Sequence, residues 1–149
     1  SNTHILLCDT VLMSNSSAMA YNIENNLIKE GVFRRGHIMS ADDRHITCKY
    51  LKKRENLISF GGKTMALIDD VMEPDLKLER KIHLDFMIVR GRMKTTLGKL
   101  LDVYDVDLLI VDSSVPDYLK DRWKEQAAEL NIPCWAVKDE GAFVYKDKI

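Results

Sequence analysis

LDFMIVRGRMKTTLGKLLDVYDVDLLIV, running from Leu84 to Val111, decides the fold. Its ends are short apolar runs, Leu84 to Val89 and Asp107 to Val111, rich in the β-branched and large side chains that fill a sheet buried on both faces. Between them Leu97, Leu100, Leu101 and Tyr104 recur at helical spacing. A strand that rejoins its own sheet through a helix runs parallel to its partner, and the crossover is right-handed by the usual rule. The expectation is an α/β fold with βαβ crossover units in the second half of the chain.

The reading extends in both directions. Downstream, a helix beginning near Val115 carries Leu119, Trp123, Ala127 and Leu130 along one face, with Ser114 and Asp117 spaced as a capping box. Past Ile132-Pro133 comes a strand, Cys134 to Val137. A second run, Ala142 to Tyr145, follows a turn at Glu140-Gly141, so the last pair can close as a hairpin. Upstream, Leu57 to Phe60 and Lys63 to Asp69 flank Gly61-Gly62, a two-residue link that tolerates the positive φ angles of a tight hairpin. Val32 to Glu55 is the most polar and least periodic stretch, where loops and one short strand are expected. At the start, Ile5 to Cys8 reads as a strand and Ser14 to Ser17 as a turn. Ile23, Leu27 and Ile28 then form one face of a helix that stops at Gly31.

A chain of 149 residues fits a single domain, 1–149, that buries about two-thirds of its unfolded surface. Its 46% hydrophobic and 30% charged residues are the balance of a folded globular protein. The 22 basic and 23 acidic residues leave a net charge of −1, so no molecule-wide field draws in nucleic acid, and any such contact needs a local patch. The longest apolar stretches, Phe86 to Val89 and Leu108 to Val111, fall far short of the roughly 20 residues of a membrane span, and no membrane insertion by this segment is expected. Cys8, Cys48 and Cys134 are odd in number, widely spaced and without a CxxC pair, which points to buried free thiols. Ser1 and Asn2 read as a cloning remnant, and the chain as a domain excised from a larger protein.

The strand–helix rhythm invites a search for nucleotide chemistry, but no GxGxxG or GxxxxGK[ST] follows any strand, so no glycine-rich loop offers its amides to a phosphate. Ser113 and Ser114 lie between a strand and a helix without the glycines of a nucleophile elbow. The histidines, His4, His37, His45 and His83, are scattered singly, with no HxxEH, HExxH or HxHxDH spacing, and no resident metal or cofactor is expected. Two groups remain as candidates. Asp69 and Asp70 end one apolar strand and Asp112 ends another, positions from which carboxylates project into a cleft; the plainer reading is charge at strand-terminating turns. Arg90, Arg92 and Lys94 follow the strand Leu84 to Val89 and suit a phosphate-bearing ligand such as DNA, since parallel sheets bind at the carboxyl ends of their strands. Their plainer reading is a solvated basic loop balanced by Asp69 and Asp70.

From Asn56 onward the order of elements resembles the C-terminal part of the metallo-β-lactamase-like domain of ComEC-type competence proteins, in a truncated or degenerate form. The residues that carry the likeness are the hairpin NLISFGGKTMALIDD, the strand and loop LDFMIVRGRMK, the strand VDLLIVDSS, the helix YLKDRWKEQAAELNIP and the closing DEGAFVY. In members with an active site the hairpin ends in a metal-binding Gly-Asp, where this chain has Asp69-Asp70. The next strand runs into a His-His-Gly loop, where this chain has Arg90 and Gly91. The HxHxDH loop has no counterpart in the first 55 residues. The resemblance implies a parent protein of the inner membrane, with this domain on the outer, periplasmic face, beside the transmembrane channel and incoming DNA. It implies a non-catalytic domain whose vestigial site is Asp69, Asp70 and Asp112. Two alternatives stand beside it: a phosphoesterase holding Mg²⁺ or Mn²⁺ on those carboxylates, and a protein-interaction module without a nucleic-acid role.

Overall fold

The computed structural model describes residues 5–8, 37–48, 51–69 and 79–145. Its strands are β1 (Ile5–Cys8), β2 (His37–Ser40), β3 (His45–Thr47), β4 (Leu51–Arg54), β5 (Leu57–Phe60), β6 (Lys63–Ile68), β7 (Ile82–Val89), β8 (Tyr104–Val111) and β9 (Cys134–Ala136). Its helices are α1 (Leu97–Leu101), α2 (Asp117–Glu129) and α3 (Val137–Glu140). The chain divides into two compact units, Ser1–Ile46 and Thr47–Ile149.

In the first unit β1 and β2 pair in parallel, from Ile5 opposite His37 to Cys8 opposite Ser40. The strand expected at Ile5 to Cys8 is present, while the helix expected up to Gly31 lies outside the described residues. The polar stretch before Glu55 holds β2, β3 and β4 among its described residues, more strand than its composition suggests.

The second unit is built on a mixed sheet in the order β4-β5-β6-β7-β8-β9. β4, β5 and β6 are antiparallel neighbours, whereas β6, β7, β8 and β9 run parallel. Gly61 (φ 56°) and Gly62 (φ 73°) both occupy the left-handed region, as a two-residue hairpin turn requires, and set Phe60 opposite Lys63. The expected parallel crossovers are also present, with α1 between β7 and β8 and α2 between β8 and β9. No helix among the described residues is long and apolar enough to cross a membrane.

The core shows why the central strands carry no simple alternation. β7 sends in Leu84, then Met87 and Val89; β8 sends in Val106, then Leu109 and Val111. The inward step is three residues instead of two at the same level of both strands. It passes over Asp85 and Asp107, the pair that the register between Ile82↔Tyr104 and Val89↔Val111 omits. Asp85 and Phe86 are thereby both turned to the far face, where the Phe86 ring meets Phe143 and Tyr145 edge-on at 5.4 and 5.3 Å. On the core face α2 contributes Leu119, Trp123 and Ala127, one residue per turn, and packs against β8 and β9.

Three local expectations are corrected. The first helix of this half stops at Leu101, and Tyr104 opens β8 instead, because the Val103 carbonyl receives the Ile82 N–H at 2.9 Å and so starts the β7–β8 ladder. Ser114 does not cap α2: Pro116 stands at its N-cap with no side-chain hydrogen bond, and Ser114 is drawn into the preceding loop. The run Ala142 to Tyr145 forms no strand and no closing hairpin. Val137–Glu140 make a helical turn, with Glu140 accepting the Ala136 N–H at 2.7 Å and Trp135 donating to the Gly141 carbonyl at 2.9 Å. That turn aims Phe143 and Tyr145 at the Phe86 ring. Cys48 and Cys134 are free thiols, both half-buried, and desolvation raises the pKa of Cys134.

Candidate functional site

Ile68, Val89 and Val111 stand abreast in adjacent parallel strands, so Asp69, Arg90 and Asp112 are each the first residue beyond a strand end. Their backbones are held in line because the Arg90 N–H donates to the Ile68 carbonyl and the Asp112 N–H to the Val89 carbonyl, both at 2.9 Å. This carboxyl-terminal edge is where open parallel sheets bind ligands.

The side chains divide into two pairs. Arg90 Nη2 donates to Asp69 Oδ2 at 3.2 Å, with both side chains about a quarter exposed. Asp112 Oδ2 accepts from the Ser114 amide at 3.1 Å and from its hydroxyl at 2.6 Å, and the same hydroxyl accepts the Gly91 N–H at 3.0 Å. Gly91 has φ 70° with open space where a Cβ would be, so the backbone angle and not crowding calls for glycine. Met93 is buried in the core, while Arg92 and Lys94 on either side of it are exposed.

The three cations singled out by sequence therefore separate into one that is paired with a carboxylate and two that face solvent. Of the three carboxylates, Asp69 and Asp112 stand at strand ends on either side of β7 and take different partners, and Asp70 lies outside the described residues.

Sequence reasoning passed over a second constellation, at the amino-terminal edge of the same strands. His83, Asp85 and Asp107 each place a ligand atom within 4.8 Å of the others. His83 Nε2 lies 3.1 Å from Asp107 Oδ2, a hydrogen bond that raises the histidine pKa above its ordinary 6.5. Asp85 accepts the Thr64 N–H at 2.8 Å and has Lys63 at 3.6 Å; the amide first, then the lysine and histidine charges, lower its pKa. The trace of this group in the sequence is His83-x-Asp85 at a strand start, but its third member comes from another strand, 22 residues after Asp85 in the same register, which spacing alone cannot reveal.

A third charged group ties α2 to α3. Asp139 accepts from Lys120 at 2.8 Å and Lys124 at 2.6 Å, while Lys138 reaches Asp117 at 3.1 Å.

Compared with known proteins, the chain matches the family model of the ComEC C-terminal domain over residues 1–147. No curated protein and no solved structure matches it.

Proposed function

The chain belongs to the ComEC C-terminal domain family, and from that premise we propose that it is a non-catalytic domain of a membrane protein of competence DNA uptake, contacting incoming DNA or the channel. The observation that carries the reading is the Asp69–Arg90 ion pair at the carboxyl-terminal strand ends. In the active-site-bearing members that this chain resembles, a carboxylate and a histidine at these two places hold metal. Here the carboxylate is met by a guanidinium, which stays protonated at any physiological pH and repels a second cation. A binuclear hydrolase needs its ions to generate hydroxide and to stabilise charge on the attacked phosphate, and Asp69 alone cannot hold two. We therefore take the domain to be a degenerate metallo-β-lactamase-like one, placed on the periplasmic face of the inner membrane.

The exposed Arg92 and Lys94 supply the surface for a phosphate backbone, being fixed in the loop by the buried Met93 between them. Fluorescence anisotropy with single-stranded and duplex DNA tests this. Binding should weaken as salt rises, and Arg92→Ala with Lys94→Ala should weaken it roughly tenfold more at low salt. Affinity indifferent to both salt and the double substitution would remove DNA contact from the reading. A parallel assay offers Mg²⁺ or Mn²⁺ with a single-stranded DNA substrate, where no turnover is expected. Cleavage that Asp69→Asn abolishes would replace this reading with the phosphoesterase one.

A further inference from the structure

With Leu84 and Val106 turned into the core, Asp85 and Asp107 lie level on adjacent strands and share the opposite face, and His83 is diagonal to Asp107. Like charges set opposite each other in a sheet are destabilising, and Asp105 adds a third carboxylate whose field reaches His83. Lys63 lies 3.6 Å from Asp85 Oδ1. Acid crowding at one level of a sheet is a local conflict, of the kind sequences retain where a site serves more than folding.

We propose that His83, Asp85 and Asp107 bind a divalent transition-metal ion, zinc being the best match to their ligand chemistry. One imidazole nitrogen with two carboxylate oxygens is a set that zinc accepts, whereas calcium and magnesium favour oxygen alone. With metal–ligand bonds of about 2.0–2.2 Å, neighbouring ligands on one ion sit roughly 3–3.5 Å apart. The 3.1 Å between His83 Nε2 and Asp107 Oδ2 already meets that separation, and all three ligand atoms fall within 4.8 Å. The His83 and Asp107 side chains are more than half exposed, so both can turn onto an ion without disturbing the core. Asp85 is the fixed member, its Oδ2 oriented by the Thr64 amide, which is the outer-sphere support that ligating carboxylates ordinarily have. Three protein ligands leave the remaining coordination positions to water, which is the open type of zinc site.

The site lies at the opposite ends of the parallel strands from Asp69 and Arg90, on the order of 20 Å away along β7 at about 3.3 Å per residue. It stands independently of the DNA reading. Metal binding requires the neutral imidazole, so affinity rises with pH as His83 gives up its proton.

The test is calorimetric titration of zinc chloride into the full chain after chelator treatment and dialysis, with Co²⁺ absorption as an optical probe of nitrogen and oxygen ligation. The expected result is one equivalent bound. His83→Gln and Asp107→Asn should each weaken it at least about tenfold, the loss that removing even an outer-sphere partner causes, and His45→Gln should leave it unchanged. Thermal melts by circular dichroism confirm that the exposed substitutions leave the fold intact. Absence of binding to the wild-type chain overturns the proposal, and so does binding that neither His83→Gln nor Asp107→Asn weakens.

Discussion

Asp139 accepts hydrogen bonds from Lys120 and then Lys124, which hold its pKa down from 3.8 to about 2. A carboxylate whose folded-state pKa is depressed contributes stability that is fully present above its unfolded pKa and is lost as pH falls through the folded value. The pair of lysines shifts in the matching sense, both raised above 10.5 with Asp139 as the first cause. Urea midpoints measured between pH 5 and pH 2 should therefore fall for the wild-type chain, and fall less steeply across about 4 to 2 for Asp139→Asn. A slope identical in the two proteins would mean that the Asp139 pairs do not persist in solution. At the strand ends, the placement of Asp69 and Arg90 was legible from the sequence, and so was their mutual balance. That Arg90 rather than Arg92 or Lys94 takes the carboxylate depends on the level at which β6 and β7 pair, which no local pattern specifies.

Among the elements, the hairpin β5–β6 is the one most fully written in local sequence. Gly62 has φ 73° and nothing within 4 Å of a built Cβ, so Gly62→Ala meets only the backbone cost of the left-handed region, about 1–2 kcal/mol, readable as a lower urea midpoint. The buried face of helix α2 was legible at Leu119, Trp123 and Ala127, which repeat once per turn, whereas its cap was not and Leu130, expected on that face, lies exposed past the helix end. Trp123 is 1% exposed within the main core, and Trp123→Ala should cost about 3–5 kcal/mol in chemical unfolding. A loss below 1 kcal/mol would mean that the core collapses around the vacancy. The phase of β7 and β8 was not legible. Beyond Asp85 and Asp107, FMIV and LLIV are apolar throughout, and a run without polar alternation does not say which residues turn inward. The terminal run Ala142 to Tyr145 misled for a related reason: aromatic residues favour strands, but Phe143 and Tyr145 reach the Phe86 ring without one.

At the scale of the whole molecule, 22 basic residues against 23 acidic ones bound what electrostatics can do. With no net attraction for DNA, the salt dependence of binding reports the strand-end loop itself. Two phosphate contacts from Arg92 and Lys94 give a slope of log affinity on log salt no steeper than about −2, and the double alanine variant should bring it near zero. A much steeper slope would place the DNA surface elsewhere on the chain.

The amino-acid sequence by itself determined what is local or periodic: the glycine turn of the hairpin, the strand–helix–strand order of the parallel half, and the strand-end positions of Asp69, Arg90 and Asp112. Only the tertiary structure decided what meets across strands. It paired Asp69 with Arg90, gave Asp112 to Ser114, and gathered His83, Asp85 and Asp107 at the other end of the sheet. The physical reason is that periodicity fixes how a side chain lies along its own strand, whereas register between strands distant in sequence is set by the summed burial of the whole core.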